Sequence, residues 1–78
     1  MFPTLIKAEE IELEGQVYSV RYFEGKTLRG TQRYSAELAL GPADRIIFDG
    51  SSLMVLESRV ARLVPASIYS RILAARAA

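Results

Sequence analysis

Apolar and polar residues alternate with period two through the first two thirds of the chain, and the period lengthens to that of a helix in the last third. Ile11 and Leu13 alternate with Glu10, Glu12 and Glu14. After Gly15-Gln16 the alternation resumes from Val17 to Tyr22. Gly15-Gln16 suits a two-residue type II′ turn, because glycine accepts positive φ at its first position. That turn pairs Glu14 with Val17, Leu13 with Tyr18, Glu12 with Ser19 and Ile11 with Val20. It groups Ile11, Leu13, Tyr18, Val20 and Tyr22 on one face.

The segment from Gly25 to Gly30 reads as a loop, and a third alternating run follows from Arg33 to Leu40. Pairing Tyr22 with Tyr34, Val20 with Ala36 and Tyr18 with Leu38 keeps the apolar face continuous, whereas a one-residue slip would turn it to water. Gly41-Pro42-Ala43-Asp44 is a turn by composition. Arg45 to Phe48 forms a fourth strand, adding Ile46 and Phe48 to the same face.

Ser51 or Ser52 then offers a helix N-cap. Leu53, Leu56, Val60, Leu63 and Val64 follow at helical spacing. Pro65 is expected to break or kink this helix, with a second helix starting near Ser67 and carrying Ile68, Ile72 and Ala75 on one stripe. A rival reading makes Leu53 to Leu56 a fifth strand after a hairpin at Asp49-Gly50, but the apolar spacing runs on smoothly to Val64. The expected fold is an α+β domain: a four-stranded antiparallel β-meander with one face covered by two C-terminal helices.

The length, 78 residues, allows a single domain. A chain this short buries only roughly 60% of the surface that it exposes when unfolded. With 50% hydrophobic residues, some apolar side chains are expected at the surface, and pairing with another chain is the natural remedy. No unbroken apolar run exceeds four residues, the length of Leu53 to Leu56. This is far short of the roughly 20 residues of a membrane span. The first residues lack a basic stretch followed by an apolar one, so no signal peptide is expected.

Histidine, cysteine and tryptophan are absent. A thiol nucleophile is therefore excluded, and so is the side chain that most often moves protons near neutral pH. Without histidine a serine nucleophile lacks its usual base, and neither lysine is patterned beside a serine. Glu10, Glu12 and Glu14 look like an exposed strand rather than paired catalytic acids. Asp49-Gly50-Ser51-Ser52 lacks the ligand spacing of a calcium loop. No enzyme activity, metal or cofactor is expected, and the lack of cysteine fits a cytoplasmic location.

The net charge is +1, but the charges are unevenly placed. Lys26, Arg29 and Arg33 occupy residues 25–36 without any acid, and Arg59, Arg62, Arg71 and Arg76 occupy residues 58–78 without any acid. A basic hairpin beside Tyr22, Phe23 and Tyr34 has the ingredients of a single-strand nucleic-acid binder. The derived register instead turns the tyrosines toward the helices. It leaves Phe23 on the outer face with Glu10 opposite Arg21 and Arg33 opposite Phe23. Helix-dipole stabilisation accounts for Arg62 and Arg76 if each ends a helix.

The same parity puts Val17, Phe23, Ala39 and Ile47 on the outer face. The sequence is therefore read as a small non-catalytic protein-interaction or dimerisation module. Val17, Phe23 and Ile47 are its expected contact residues and Arg21 and Arg33 their rim. The partner is expected to be a second copy or another protein. Weak nucleic-acid binding through Lys26, Arg29 and Arg33 is the alternative.

Overall fold

The computed structural model describes residues 3–77. Met1 and Phe2, part of the stretch read for a leader, lie outside the described residues, as does Ala78. Four strands run in chain order: β1 (Thr4–Leu13), β2 (Gln16–Lys26), β3 (Gln32–Gly41) and β4 (Asp44–Gly50). They form one antiparallel sheet in the order β1-β2-β3-β4. One helix, α1 (Leu53–Ala77), covers one side. The α+β class and the meander agree with the pattern of the sequence.

Two C-terminal helices were expected and one is found, with Pro65 inside it. The reason lies in the packing. Leu56, Val60, Val64 and Ile68 form one row at four-residue spacing, and all four are buried. The row runs across Pro65, so both halves of the helix bury the same stripe on the same sheet. Proline in a helix interior costs about 3 kcal/mol, while each buried aliphatic side chain contributes roughly 1.5–3 kcal/mol. Packing outweighs the break. The carbonyl that loses its partner belongs to Ala61, an exposed residue, so water can satisfy it. Ser52 is the N-cap: its Oγ accepts from the Val55 N–H at 3.2 Å and its carbonyl from the Leu56 N–H at 3.0 Å. Residues 53–56 are thus helix, not a fifth strand.

The strand faces are as the alternation required, but the pairing is displaced by two residues. Ile11 faces Tyr18 and Glu9 faces Val20. Val20 faces Leu38, and Tyr22 faces Ala36. A two-residue slip keeps every side chain on its face, which is why the core is unaffected. The first hairpin turns at Glu14-Gly15, with φ of 53° and 77°. Two positive φ values are those of a type I′ turn. Glutamate rarely takes this conformation, so Gly15-Gln16 looked the better turn. The second loop is tighter than expected. The Gly30 N–H donates to the Thr27 carbonyl and the Thr27 N–H to the Thr31 carbonyl, both at 2.9 Å. This leaves a three-residue tip with Gly30 at φ 82°.

The core is Val20, Tyr22, Ala36, Leu38 and Phe48 from the sheet against the Leu56–Ile68 row. Tyr18, Tyr34, Ile11 and Leu13 pack at its margin. The helix lies over β3 and β4 evenly. Gly50 marks the close approach: a Cβ there would meet Leu56 Cβ at 3.0 Å and its backbone N at 3.2 Å.

Two substitutions test this packing. Pro65→Ala restores a helical N–H and is expected to raise unfolding stability by about 1–3 kcal/mol, read by urea denaturation. If a break at Pro65 were part of the fold, stability would fall. Gly50→Ala is expected to cost about 1–3 kcal/mol through overpacking against helix backbone, and an unchanged midpoint would show that α1 can lift away.

Candidate functional site

The side of the sheet opposite α1 has no covering layer among the described residues. Its cross-strand rows follow from the register. Leu5, Phe23, Ser35 and Asp49 form one row, and Ala8, Arg21, Glu37 and Ile47 the next. Glu10, Ser19, Ala39 and Arg45 form a third, and Glu12 with Val17 a fourth. Val17 and Ile47 are each 57% exposed and Leu5 52%. Phe23 is half-buried.

All the expected contact residues are on this face, but they do not form one patch. The Arg21 guanidinium donates to Glu37 at 2.7 Å, and Arg45 approaches the same carboxylate at 3.6 Å. This ion ladder crosses the sheet between Phe23 and Val17 and flanks Ile47. Arg21 also lies over the Phe23 ring, 5.9 Å from its centroid, near the limit of a cation–π contact. The two-residue displacement changes the expected neighbours. Glu10 faces Ser19 rather than Arg21, and Arg33 faces Gly25 rather than Phe23.

Leu5 is an addition that the alternation did not reveal. A bulge between Leu5 and Lys7 moves Leu5 to the outer face, beside Phe23. The adjacent apolar pair Leu5-Ile6, which breaks period two, is the sequence signal of that bulge.

The same bulge leaves Lys7 on the helix side. Its Nζ donates to Glu57 of α1 at 2.6 Å and lies 4.6 Å from the centroid of the Tyr22 ring. The Tyr22 hydroxyl donates to Glu9 at 2.9 Å. Burial, with the Glu9 carboxylate beside it, pushes the Tyr22 phenol far up. The Glu57 bond holds the Lys7 ammonium above its ordinary value. This cluster closes the β1 flank of the helix.

The basic hairpin is open. Lys26, Arg29 and Arg33 are exposed and make no ion pair among the described residues, and Leu28 at the tip is fully exposed. A shallow depression at its base is lined by Pro3, Gly25, Lys26, Arg33, Tyr34 and Asp49, among others. It mixes two cations with a carboxylate. Tyr22 is buried, and Tyr18 and Tyr34 are half-buried against the core margin, with Tyr34 also lining this depression.

Of the helix arginines, Arg59 donates to the Asp49 carbonyl at 3.0 Å and Arg71 makes a bidentate pair with Asp44 at 2.8 and 3.1 Å. Because α1 runs on to Ala77, Arg62 sits in mid-helix, and the dipole argument holds for Arg76 alone. Among the described residues no polar side chain other than the Tyr22 phenol is buried, and no three metal-ligating groups converge. No helix is long and apolar enough to cross a membrane. Comparison with family models, curated proteins and solved structures finds no match to this chain.

The Arg71 bond lowers the Asp44 carboxyl below its ordinary value. A lowered carboxyl favours folding above the unfolded value, and the contribution fades as pH falls through the folded one. Side-chain NMR titration is expected to place the Asp44 midpoint below the usual aspartate range, and Arg71→Gln to return it upward. A midpoint that does not move on substitution would mean that the pair is absent in solution.

Proposed function

We propose that this chain is a small non-catalytic protein-interaction or dimerisation module of the cytoplasm, contacting its partner across the open side of the sheet. The observation that carries this reading is a complete sheet face without a covering layer among the described residues, on which Leu5, Val17 and Ile47 remain half exposed. Apolar side chains set among a few ion pairs are the composition of a protein contact surface. Val17, Phe23 and Ile47 are the contact residues. Arg21 steadies Phe23, and Arg33 lies toward the hairpin end of the face. The absence of histidine and cysteine, with ionic groups that pair at the surface, supports a role without catalysis. The cytoplasm is proposed because nothing in the chain calls for an oxidising compartment.

Weak nucleic-acid binding is the second reading. It rests on the unpaired cations Lys26, Arg29 and Arg33 around an exposed loop. Phosphate contacts weaken steeply with salt, whereas apolar contacts do not.

Amide NMR separates the two. In a dilution series we expect concentration-dependent shifts on the open side of the sheet that persist at high salt, with silence toward mixed DNA and RNA oligonucleotides. Responses at Val17, Phe23 and Ile47 together would spread the contact across the face, and a response at Ile47 without the other two would confine it to β4. Phe23→Glu is expected to keep the fold, with a stability change within about 1 kcal/mol. Concentration-independent spectra, with salt-sensitive oligonucleotide shifts at Lys26, Arg29 and Arg33, would replace this reading with the second.

A further inference from the structure

The two edges of the sheet are built differently. β1 carries three devices that discourage pairing with another strand. A bulge bends it between Leu5 and Lys7. Lys7 points inward, toward α1. Glu9, Glu10 and Glu12 crowd its second half, so a second β1 would meet like charge. β4 has no lysine and no proline, and its pairing with β3 is regular from Arg45 to Gly50; the one irregularity lies at its start, where β3 carries the extra residue between Ala39 and Gly41. Three adjacent apolar residues, Ile46, Ile47 and Phe48, occupy its middle.

The sequence of β4 is complementary to itself when reversed. Turned antiparallel about its midpoint, Ile47 meets Ile47 of the second copy. Ile46 then meets Phe48, and Arg45 meets Asp49. The Arg45–Asp49 match occurs twice, once on each side of the dyad. Parity is preserved: Arg45, Ile47 and Asp49 share the outer face, and Ile46 and Phe48 share the helix face. The backbone agrees. Arg59 reaches the Asp49 carbonyl from the helix, which places that carbonyl on the free margin. Two-residue alternation turns the backbone groups of Arg45 and Ile47 the same way. These are the residues that would exchange ladder bonds, and the Asp49 carbonyl has a second lone pair to share with Arg59.

The helix fits the same arrangement. α1 packs on β3 and β4, the half of the sheet next to this edge, so a second copy joined along β4 brings the two helices side by side on one face. The flank of α1 above β4 carries Arg59, which reaches the Asp49 carbonyl, and the half-exposed Val55 lies beside it.

We propose that two copies of this chain join by antiparallel pairing of their β4 strands, giving an eight-stranded sheet with both helices on one side and one continuous open face on the other. The proposal rests on the dimerisation form of the interaction-module reading. It names the partner as a second copy and moves the seam between copies from the open face to the β4 edge, where Ile47 alone of the three contact residues takes part and Val17 and Phe23 take none.

Charge reversal tests it. Arg45→Asp places two acids in register across the seam, and Asp49→Arg places two bases. Each alone is expected to weaken self-association by roughly tenfold, measured by sedimentation over a concentration series. Mixing the two variants in equal amounts is expected to restore association as a heterodimer, since each then presents the other's complement. The double variant should associate like the unaltered chain, and circular dichroism confirms folding throughout. Phe23→Glu should leave this dimer intact.

An unaltered chain that stays monomeric throughout the series overturns the seam. So do single variants that associate as tightly as the unaltered chain. If Phe23→Glu dissociates the dimer while the charge reversals do not, the copies meet face to face; the module reading then stands and the edge pairing falls. Failure of the module reading looks different: no association and salt-sensitive oligonucleotide binding at the hairpin.

Discussion

Everything in this fold depends on one row of side chains laid across one apolar sheet face. Leu56, Val60, Val64 and Ile68 bury themselves on Val20, Tyr22, Ala36, Leu38 and Phe48. The four-residue spacing makes the row straight enough to follow the sheet for several turns. It carries the helix through Pro65 and sets the close approach at Gly50. It also leaves the opposite sheet face uncovered among the described residues, which supply a single helix and no second layer.

The surface charges follow from where that helix lies. Glu57 faces Lys7 on the β1 flank, and Arg71 faces Asp44 on the β4 side. Exposed pairs of this kind contribute little to stability. Their value is orientational, since they close the helix against both margins. The ladder of Arg21, Glu37 and Arg45 has a different consequence. It divides the outer apolar residues into separate positions, so the open face resembles an interaction surface of mixed character more than a buried core cut in half.

The two edges of the sheet differ in the same way that its two faces do. One is guarded by a bulge, an inward lysine and a run of acids. The other is short, apolar in the middle and charge-complementary about its own centre. On the proposed pairing, a sheet with one closed and one open margin would join a second copy without growing into a fibre, because a pairing of like edges about a dyad is closed after two copies.

Much of this was written in the chain. The period-two alternation alone assigned Ile11, Leu13, Tyr18, Val20, Tyr22, Ala36 and Leu38 to the helix side, and Val17, Phe23 and Ile47 to the open side. Those assignments survive a two-residue displacement of register, because side-chain parity is the same at either pairing. The pairing itself depended on contacts beyond local reach. Glu14 adopts positive φ against its own preference, and only the assembled molecule, with the Tyr69 hydroxyl 3.3 Å from its carboxylate, shows that turn in place. The continuity of α1 was decided in the same way: Pro65 argues locally for a break, and the sheet beneath both halves of the row overrules it. Alternation and helical spacing are local properties of neighbouring side chains, so the sequence by itself determined the elements and their faces. Register, helix continuity and the difference between the two edges are set by contacts between residues far apart in the chain, and those only the tertiary structure decided.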